Sequence, residues 1–219
     1  MSSAQHWRPR DAWLFAGFAI IYAFLSAIVI VAPAMVFPSW EGLLRARIIS
    51  SAFFVFNLCV FLGISVFLSR VKSLSEFKSA FDLTKPRETD VLMSIGIGIL
   101  LQFTGIFLFG NLSHLHPTRS FQYDFVPALL VPFFEEPAMR GFVYKSFRNA
   151  YGVVPSMLLV VAISLVFHTQ VYSSVYRFVM ISALNAILCL LKEKRFSLWN
   201  CIACHLAFNA VYVGIDRGG

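Results

Sequence analysis

The stretch VLMSIGIGILLQFTGIFLFG, residues 91–110, runs for twenty residues without a charged side chain. A helix needs about 20 mostly apolar residues to cross the hydrocarbon core of a bilayer, so this stretch predicts a transmembrane helix. The whole composition agrees, because hydrophobic residues make up 58% of the 219 residues and charged residues only 13%. Soluble domains average about 45–50% apolar and about 25% charged residues. The composition therefore excludes a soluble enzyme, a disordered chain and a nucleic-acid-binding protein.

Six further segments are apolar enough to join this one in a bundle. The seven predicted spans are 12–37, 48–69, 91–110, 125–147, 153–167, 171–191 and 196–215. Since backbone groups inside a bilayer must be satisfied within the protein, helices are the expected spanning structure. The predicted fold class is an all-α, polytopic integral membrane bundle of about seven transmembrane helices (six to eight) in one membrane domain, 1–219. The polar stretch 70–90 predicts a connecting loop with a short interfacial helix.

The distribution of Lys and Arg predicts the orientation. With a cytoplasmic N-terminus, the cytoplasmic segments hold 12 of the 18 basic residues and the opposite side holds 4. This excess follows the positive-inside rule, so the net charge of +7 reflects topology rather than nucleic-acid binding. The first apolar run is too long for a signal peptide, whose apolar region has about 7–15 residues. We expect a multi-pass protein of the bacterial inner membrane or its equivalent, in contact with the lipid bilayer.

Residues 133–141, FFEEPAMRG, place charges inside the fourth predicted span. An ionisable group at membrane depth is costly and marks a candidate functional site. Glu136 and Arg140 are four residues apart on one helix face, which predicts an ion pair. Glu135 lies about 100° around the helix from Glu136 and has no partner in its own helix. A desolvated carboxylate of this kind suits a general base, whereas a structural ion triplet is the alternative interpretation.

Further polar residues lie in the fifth and seventh predicted spans. His205 and Asn209 are also four residues apart on one helix face, and His168 closes the fifth span. Alone, His205 and Asn209 are typical of hydrogen bonding between membrane helices, and His168 is typical of a histidine at the membrane interface. Together with Glu135, they have the groups needed to activate water and to stabilise an oxyanion. The sequence contains no Gly-x-Ser-x-Gly or His-Glu-x-x-His motif, so the hypothesis is hydrolysis through a carboxylate.

These motifs resemble those of a known family. Glu135-Glu136-x-x-x-Arg140, a later helix that ends in His168, and His205-x-x-x-Asn209 in the final helix are similar to the CPBP family of intramembrane proteases. That family includes the type II CAAX prenyl endopeptidases and the bacterial Abi proteins. The resemblance covers residues 121–215, which would form the catalytic core. One departure is Ser164, because the family usually has Phe four residues before the middle histidine.

The resemblance implies a glutamate-dependent endopeptidase that acts on a membrane-associated protein or peptide, such as a C-terminal tail or sorting signal. By this analogy Glu135 activates water with the help of His168, and His205 and Asn209 stabilise the oxyanion. Glu136 and Arg140 support Glu135. The resemblance leaves the metal open: Glu135, His168 and His205 have the ligand types of a catalytic zinc site, but a Glu–His-activated water needs no cofactor, and we expect none to be required.

Two rival interpretations remain open at the level of the sequence. Cys201-Ile202-Ala203-Cys204-His205 matches the Cys-x-x-Cys-His pattern of c-type haem attachment. That pattern lies inside an apolar span, and all four cysteines of the chain (Cys59, Cys189, Cys201 and Cys204) lie in apolar runs, which predicts small buried side chains. The second rival is a non-catalytic immunity or transport protein of the same fold, whose polar residues serve packing or a pathway.

Overall fold

All regular secondary structure in the described part of the chain is helical. The computed structural model describes residues 8–18, 20, 21, 56, 59–109, 121–168, 174–194 and 196–215, without the side chains of 121–127 and 213–215. Residues 9–18 are helical. The following helices are α1 (Cys59–Ser69), α2 (Leu74–Ala80), α3 (Glu88–Phe109), α4 (Phe121–Glu136), a π-helix (Pro137–Tyr144), α5 (Lys145–Tyr151), α6 (Val153–Phe167), α7 (Val175–Glu193) and α8 (Leu198–Ile215).

Most of the predicted spans that fall on described residues are helices. Helices α3, α6, α7 and α8 match the third, fifth, sixth and seventh predicted spans, with ends that differ by at most four residues. The fourth predicted span is one run through α4, the π-helix and α5, and α2 is the short helix expected in the loop 70–90. The first predicted span lies largely outside the described residues, and the second is described at residues 56 and 59–69, where it forms α1. The count of seven spans therefore stays a prediction.

Two described helices, α3 and α7, are long and apolar enough to cross a membrane, and α1 and α6 are apolar but shorter. Helix α3 also exposes large hydrophobic side chains, among them Phe107 at 85% and Leu100 at 66% of full exposure. A surface of this kind is suited to contact with lipid rather than with water. The described helices therefore have the features of a membrane bundle.

Helix α8 lies at the centre of the described bundle, where it packs against α3, α4, α7 and the π-helix. Its contact with α3 is close because Gly98 has no side chain. A Cβ atom added at Gly98 would lie 2.2 Å from the backbone oxygen of Cys204. Small residues at such points allow membrane helices to approach backbone to backbone, and this contact sets the distance between α3 and α8.

Replacing Gly98 by alanine is expected to destabilise the protein by about 1–3 kcal/mol, because the new methyl group meets backbone that cannot move away. For a chain of this size the midpoint of thermal unfolding in mild detergent should fall by about 2–12 °C. Gly96 is the matched control in the same helix, since an added Cβ there meets nothing within 4 Å. An equal loss of stability in Gly96→Ala would contradict the close approach of the two backbones.

The loop between α1 and α3 is tied to the C-terminal half of the chain. Phe81 is fully buried, and its ring occupies the space beside Gly141 of the π-helix, where a Cβ would lie 2.5 Å from the ring. The Asp82 carboxylate pairs with Lys145 and Lys192 at 2.6 Å each. Burial would raise the pKa of Asp82, but the two ammonium groups outweigh it and hold that pKa below its usual value.

The cysteines are mostly in the predicted environment. Cys189, Cys201 and Cys204 are buried and free, as expected of small hydrophobic side chains. The prediction is wrong for Cys59, which is free but exposed at the start of α1. The apolar run around Cys59 is only partly described, and an apolar membrane helix directs some of its hydrophobic residues outward.

Candidate active site

The charged motif lies where an α-helix becomes a π-helix. Glu136 is the last residue of α4, and the π-helix begins at Pro137. Proline has no N–H to donate to the carbonyl of Phe133, so the regular α-helical ladder is interrupted at this turn. The π-helix that follows bonds to the fifth residue back, and such turns are frequent at functional sites. The wider turn still places Arg140 over Glu136.

The Glu136 carboxylate is completely buried and serves two partners. Its Oε1 atom lies 3.2 Å from Nη1 of Arg140, which confirms the predicted ion pair, and Arg140 is itself only 1% exposed. The same oxygen accepts a hydrogen bond from Nδ1 of His205 at 2.7 Å. The second contact was not predicted from the sequence, which placed His205 with Glu135. A buried charge is tolerated when it is paired and hydrogen-bonded in this way.

Arg140 extends the network to two more helices. Its Nη2 group donates to the side-chain and backbone oxygens of Asn185 in α7. The Asn185 Oδ1 atom also accepts a hydrogen bond from the Ser164 hydroxyl of α6 at 2.7 Å. Ser164 occupies the position at which the family usually has Phe, and its hydroxyl makes this hydrogen bond instead. The only sequence signal for Asn185 was an amide inside an apolar span.

Glu135 differs from its neighbour in its surroundings. Its side chain is half-buried, and it makes no hydrogen bond or ion pair with another described residue. Glu136, one position later, contacts both Arg140 and His205. These contacts join Glu136 to α8 and to the π-helix, and its supporting role stays a prediction. The Glu135 carboxylate has neither of these contacts and is partly exposed.

His168 caps the C-terminus of α6, which ends at Phe167 as predicted. Its Nδ1 atom lies 2.7 Å from the backbone oxygen of Ser164 and donates to it, since a carbonyl oxygen can only accept. In the neutral ring the lone pair is then on Nε2. His168 is half-buried, so this nitrogen can accept a proton or orient a water molecule.

Asn209 contacts the backbone of the glutamate helix. Its Nδ2 group donates to the carbonyl oxygen of Ala128 in α4 at 2.9 Å. His205, one turn earlier in α8, contacts Glu136 at the end of the same helix. The two residues predicted from one motif therefore bind α4 at two separate heights. Helices α4 and α8 are antiparallel, since the later residue of α8 meets the earlier residue of α4.

Two other chemistries can be compared with this geometry. Among the residues that the structure describes, no group of three or more His, Cys, Asp and Glu side chains is arranged to hold a metal ion, and Glu135, His168 and His205 do not form one. Cys201 and Cys204 are fully buried within α8. Covalent haem attachment needs accessible cysteines, so their burial disfavours the haem interpretation.

Residues 119–211 match the family model described as type II CAAX prenyl endopeptidase, Rce1-like. The match includes every candidate residue from Glu135 to Asn209, and it confirms the family that the sequence motifs predicted. Neither the comparison with curated proteins nor that with solved structures returned a match. The family is one of membrane-embedded peptidases, which is consistent with the two described helices, α3 and α7, that are long and apolar enough to cross a membrane.

Proposed function

Since residues 119–211 belong to the Rce1-like family of type II CAAX prenyl endopeptidases, we propose that the chain is an intramembrane endopeptidase that uses a glutamate to activate water. The proposed substrate is a membrane-associated protein or peptide, cleaved in a C-terminal tail. The single observation that supports different roles for Glu135 and Glu136 is the difference in their burial and in their partners. Glu136 is buried between Arg140 and His205, whereas Glu135 is half-buried and unpaired among the described residues.

In the proposed reaction Glu135 accepts a proton from water, and the water oxygen bonds to the carbonyl carbon of the scissile peptide. The carbonyl electron pair moves onto oxygen and gives a tetrahedral oxyanion. When this intermediate collapses, the C–N bond breaks and the leaving amine takes the proton from Glu135. One carboxylate thus acts first as general base and then as general acid. His168 supports the first step, because the lone pair on its Nε2 can hold the water in place.

His205 is suited to stabilise the oxyanion in its protonated form. With Nδ1 donating to Glu136, a neutral ring has no proton on Nε2, so donation to an oxyanion requires the imidazolium. The Glu136 carboxylate fixes the orientation of the ring through this hydrogen bond. A donor aimed at developing negative charge in a site that excludes water is the strongest kind of transition-state stabilisation. The Glu136–Arg140 pair would thus act on the reaction through His205.

The proposed setting is a multi-pass protein with a cytoplasmic N-terminus and no required cofactor. The excess of Lys and Arg on the side of the α2 loop supports this orientation. The glutamate motif is near the middle of the helical run from 121 to 151, which supports a position at membrane depth. A substrate anchored in the same bilayer would reach it by lateral diffusion.

The function is tested by comparing the termini of membrane proteins in cells that carry the wild-type chain, Glu135→Gln or Glu88→Gln. Glu88 is exposed at the start of α3 and serves as the control glutamate. We expect new termini with the wild type and with Glu88→Gln, and none with Glu135→Gln. Identical termini in all three cultures would instead support the non-catalytic immunity or transport interpretation. Any termini found would also identify the substrate.

A further inference from the structure

Asn209 of α8 donates a hydrogen bond to a carbonyl group of α4 that lacks its regular donor within α4. In a regular α-helix the carbonyl of Ala128 accepts from the N–H of residue 132. Residue 132 is a proline, which has no N–H. The Asn209 Nδ2 group, 2.9 Å from the Ala128 oxygen, supplies the missing donor from α8. The hydrogen bond between the two helices thus replaces one that the sequence of α4 cannot make.

The contact is close to the glutamates along the helix. Ala128 and Glu135 are seven residues apart, which is nearly two full turns and places them on one face of α4. A helical carbonyl points toward the C-terminus, so the Asn209 amide lies near the level of Pro132, about 4.5 Å of helix rise before Glu135. One turn away on α8, His205 holds Glu136. Two contacts from one helix face fix both the height and the rotation of α4.

We propose that Asn209 is a positioning residue, which holds the Glu135 helix in place through the carbonyl that Pro132 leaves free. This inference rests on the proposed function. Pro132 and Asn209 then form one unit: proline frees the carbonyl, and asparagine binds it. Loss of the Asn209 donor would let α4 shift or rotate and would displace the Glu135 carboxylate from the water it activates.

A double-mutant cycle of Asn209→Ala and Pro132→Ala distinguishes a role in positioning α4 from a role only at the oxyanion. Alanine at position 132 restores a backbone N–H that can bond to the Ala128 carbonyl from within α4. If Asn209 is a positioning residue, Pro132→Ala makes it dispensable. If Asn209 acts only by binding the oxyanion, its removal should lower kcat by the same factor in both backgrounds. Catalysis is measured in mild detergent as kcat and KM for a farnesylated C-terminal peptide that carries a fluorophore.

We expect Asn209→Ala alone to lower kcat by about 10- to 100-fold with KM within about twofold, because a misplacement of about 1 Å has effects of that order. In the Pro132→Ala background the same change should alter kcat by less than about twofold. Equal losses of kcat in both backgrounds overturn the proposal.

Thermal unfolding gives a second reading of the same cycle, which does not depend on turnover. Asn209→Ala should lower the midpoint of unfolding by about 2–4 °C in the wild-type background, the effect of one hydrogen bond in a chain of this size, and by less in the Pro132→Ala background. Asn200→Ala is the matched control, because this α8 amide donates to Ser94 rather than to α4. It should lower the midpoint equally in both backgrounds. If the shifts in the unfolding midpoint caused by Pro132→Ala and Asn209→Ala are additive, the proposal is overturned.

The proposed function and the positioning role fail in different ways. If the wild type cleaves the peptide no faster than Glu135→Gln, the proposed peptidase mechanism is wrong, and the unfolding cycle still decides whether residues 132 and 209 are coupled. If the wild type is active and Asn209→Ala retains its kcat, the positioning role is wrong and the mechanism stands.

Discussion

Replacement of Arg140 by methionine is expected to lower the free energy of unfolding by about 3–5 kcal/mol. Removal of one partner of a buried ion pair leaves the other charge uncompensated, and losses of this size are typical of that change. Arg140 is 1% exposed and Glu136 is not exposed at all, so water cannot take the place of the guanidinium. The Asn185 oxygen that accepts from Arg140 would also lose this donor. Thermal unfolding in mild detergent should shift down by roughly 6–20 °C.

Two companion variants test the cause of this loss. Arg148→Met removes an arginine whose pair with Glu193 is part-exposed, and exposed pairs contribute about 0–1 kcal/mol. Its midpoint should therefore change little. The double variant Glu136→Gln/Arg140→Met removes both charges together and should recover much of the loss, because apolar or neutral replacements of a whole buried pair are often tolerated. Equal shifts in Arg140→Met and Arg148→Met would contradict the burial of the pair.

Glu135→Gln is expected to reduce kcat by about 100- to 10,000-fold, the contribution of a positioned general acid–base group. The amide has nearly the shape of the carboxylate but cannot take the proton of water. Because Glu135 makes no ion pair or hydrogen bond with another described residue, the midpoint of unfolding should remain within about 2 °C of the wild type. Turnover of the fluorescent farnesylated peptide measures the first effect, and thermal unfolding of the same sample measures the second.

The adjacent glutamate gives the contrasting result that makes this prediction specific. Glu136→Gln should lower both kcat and stability, since it leaves the buried Arg140 charge without its counter-ion and removes the negative charge that His205 contacts. Glu88→Gln, at an exposed glutamate, should change neither. Wild-type turnover in Glu135→Gln, or loss of turnover only in Glu136→Gln, would show that the two glutamates have the opposite roles.

Local features of the sequence were enough to predict the helices and the first ion pair. The ends of α6 follow from Gly152, whose φ of 84° favours glycine, and from His168, which caps the last turn. Glu136 and Arg140 were predicted as partners from their spacing alone, and they lie 3.2 Å apart. Such features depend on a few neighbouring residues, so a single sequence contains them.

Contacts between helices could not be predicted in the same way. Whether His205 meets Glu135 or Glu136 depends on the rotation of α4 about its axis, and adjacent residues differ by about 100°. The hydrogen bonds of Asn185 and Ser164 depend on which faces of α6 and α7 approach Arg140. The pairing of Asn209 with Ala128 had one local signal that the prediction did not use, because Pro132 leaves that carbonyl free.

The close contact of Phe81 with Gly141 also affects which part of the chain can fold by itself. The family match begins at residue 119, but the ring that fills the surface of the π-helix comes from residue 81. Gly98 likewise brings α3 against the backbone of α8 from outside the matched region. A fragment that starts at 119 would lose both contacts and expose the apolar surfaces beneath them. We therefore expect that the matched region does not fold by itself, because its packing includes residues 81 and 98, which the family match does not cover.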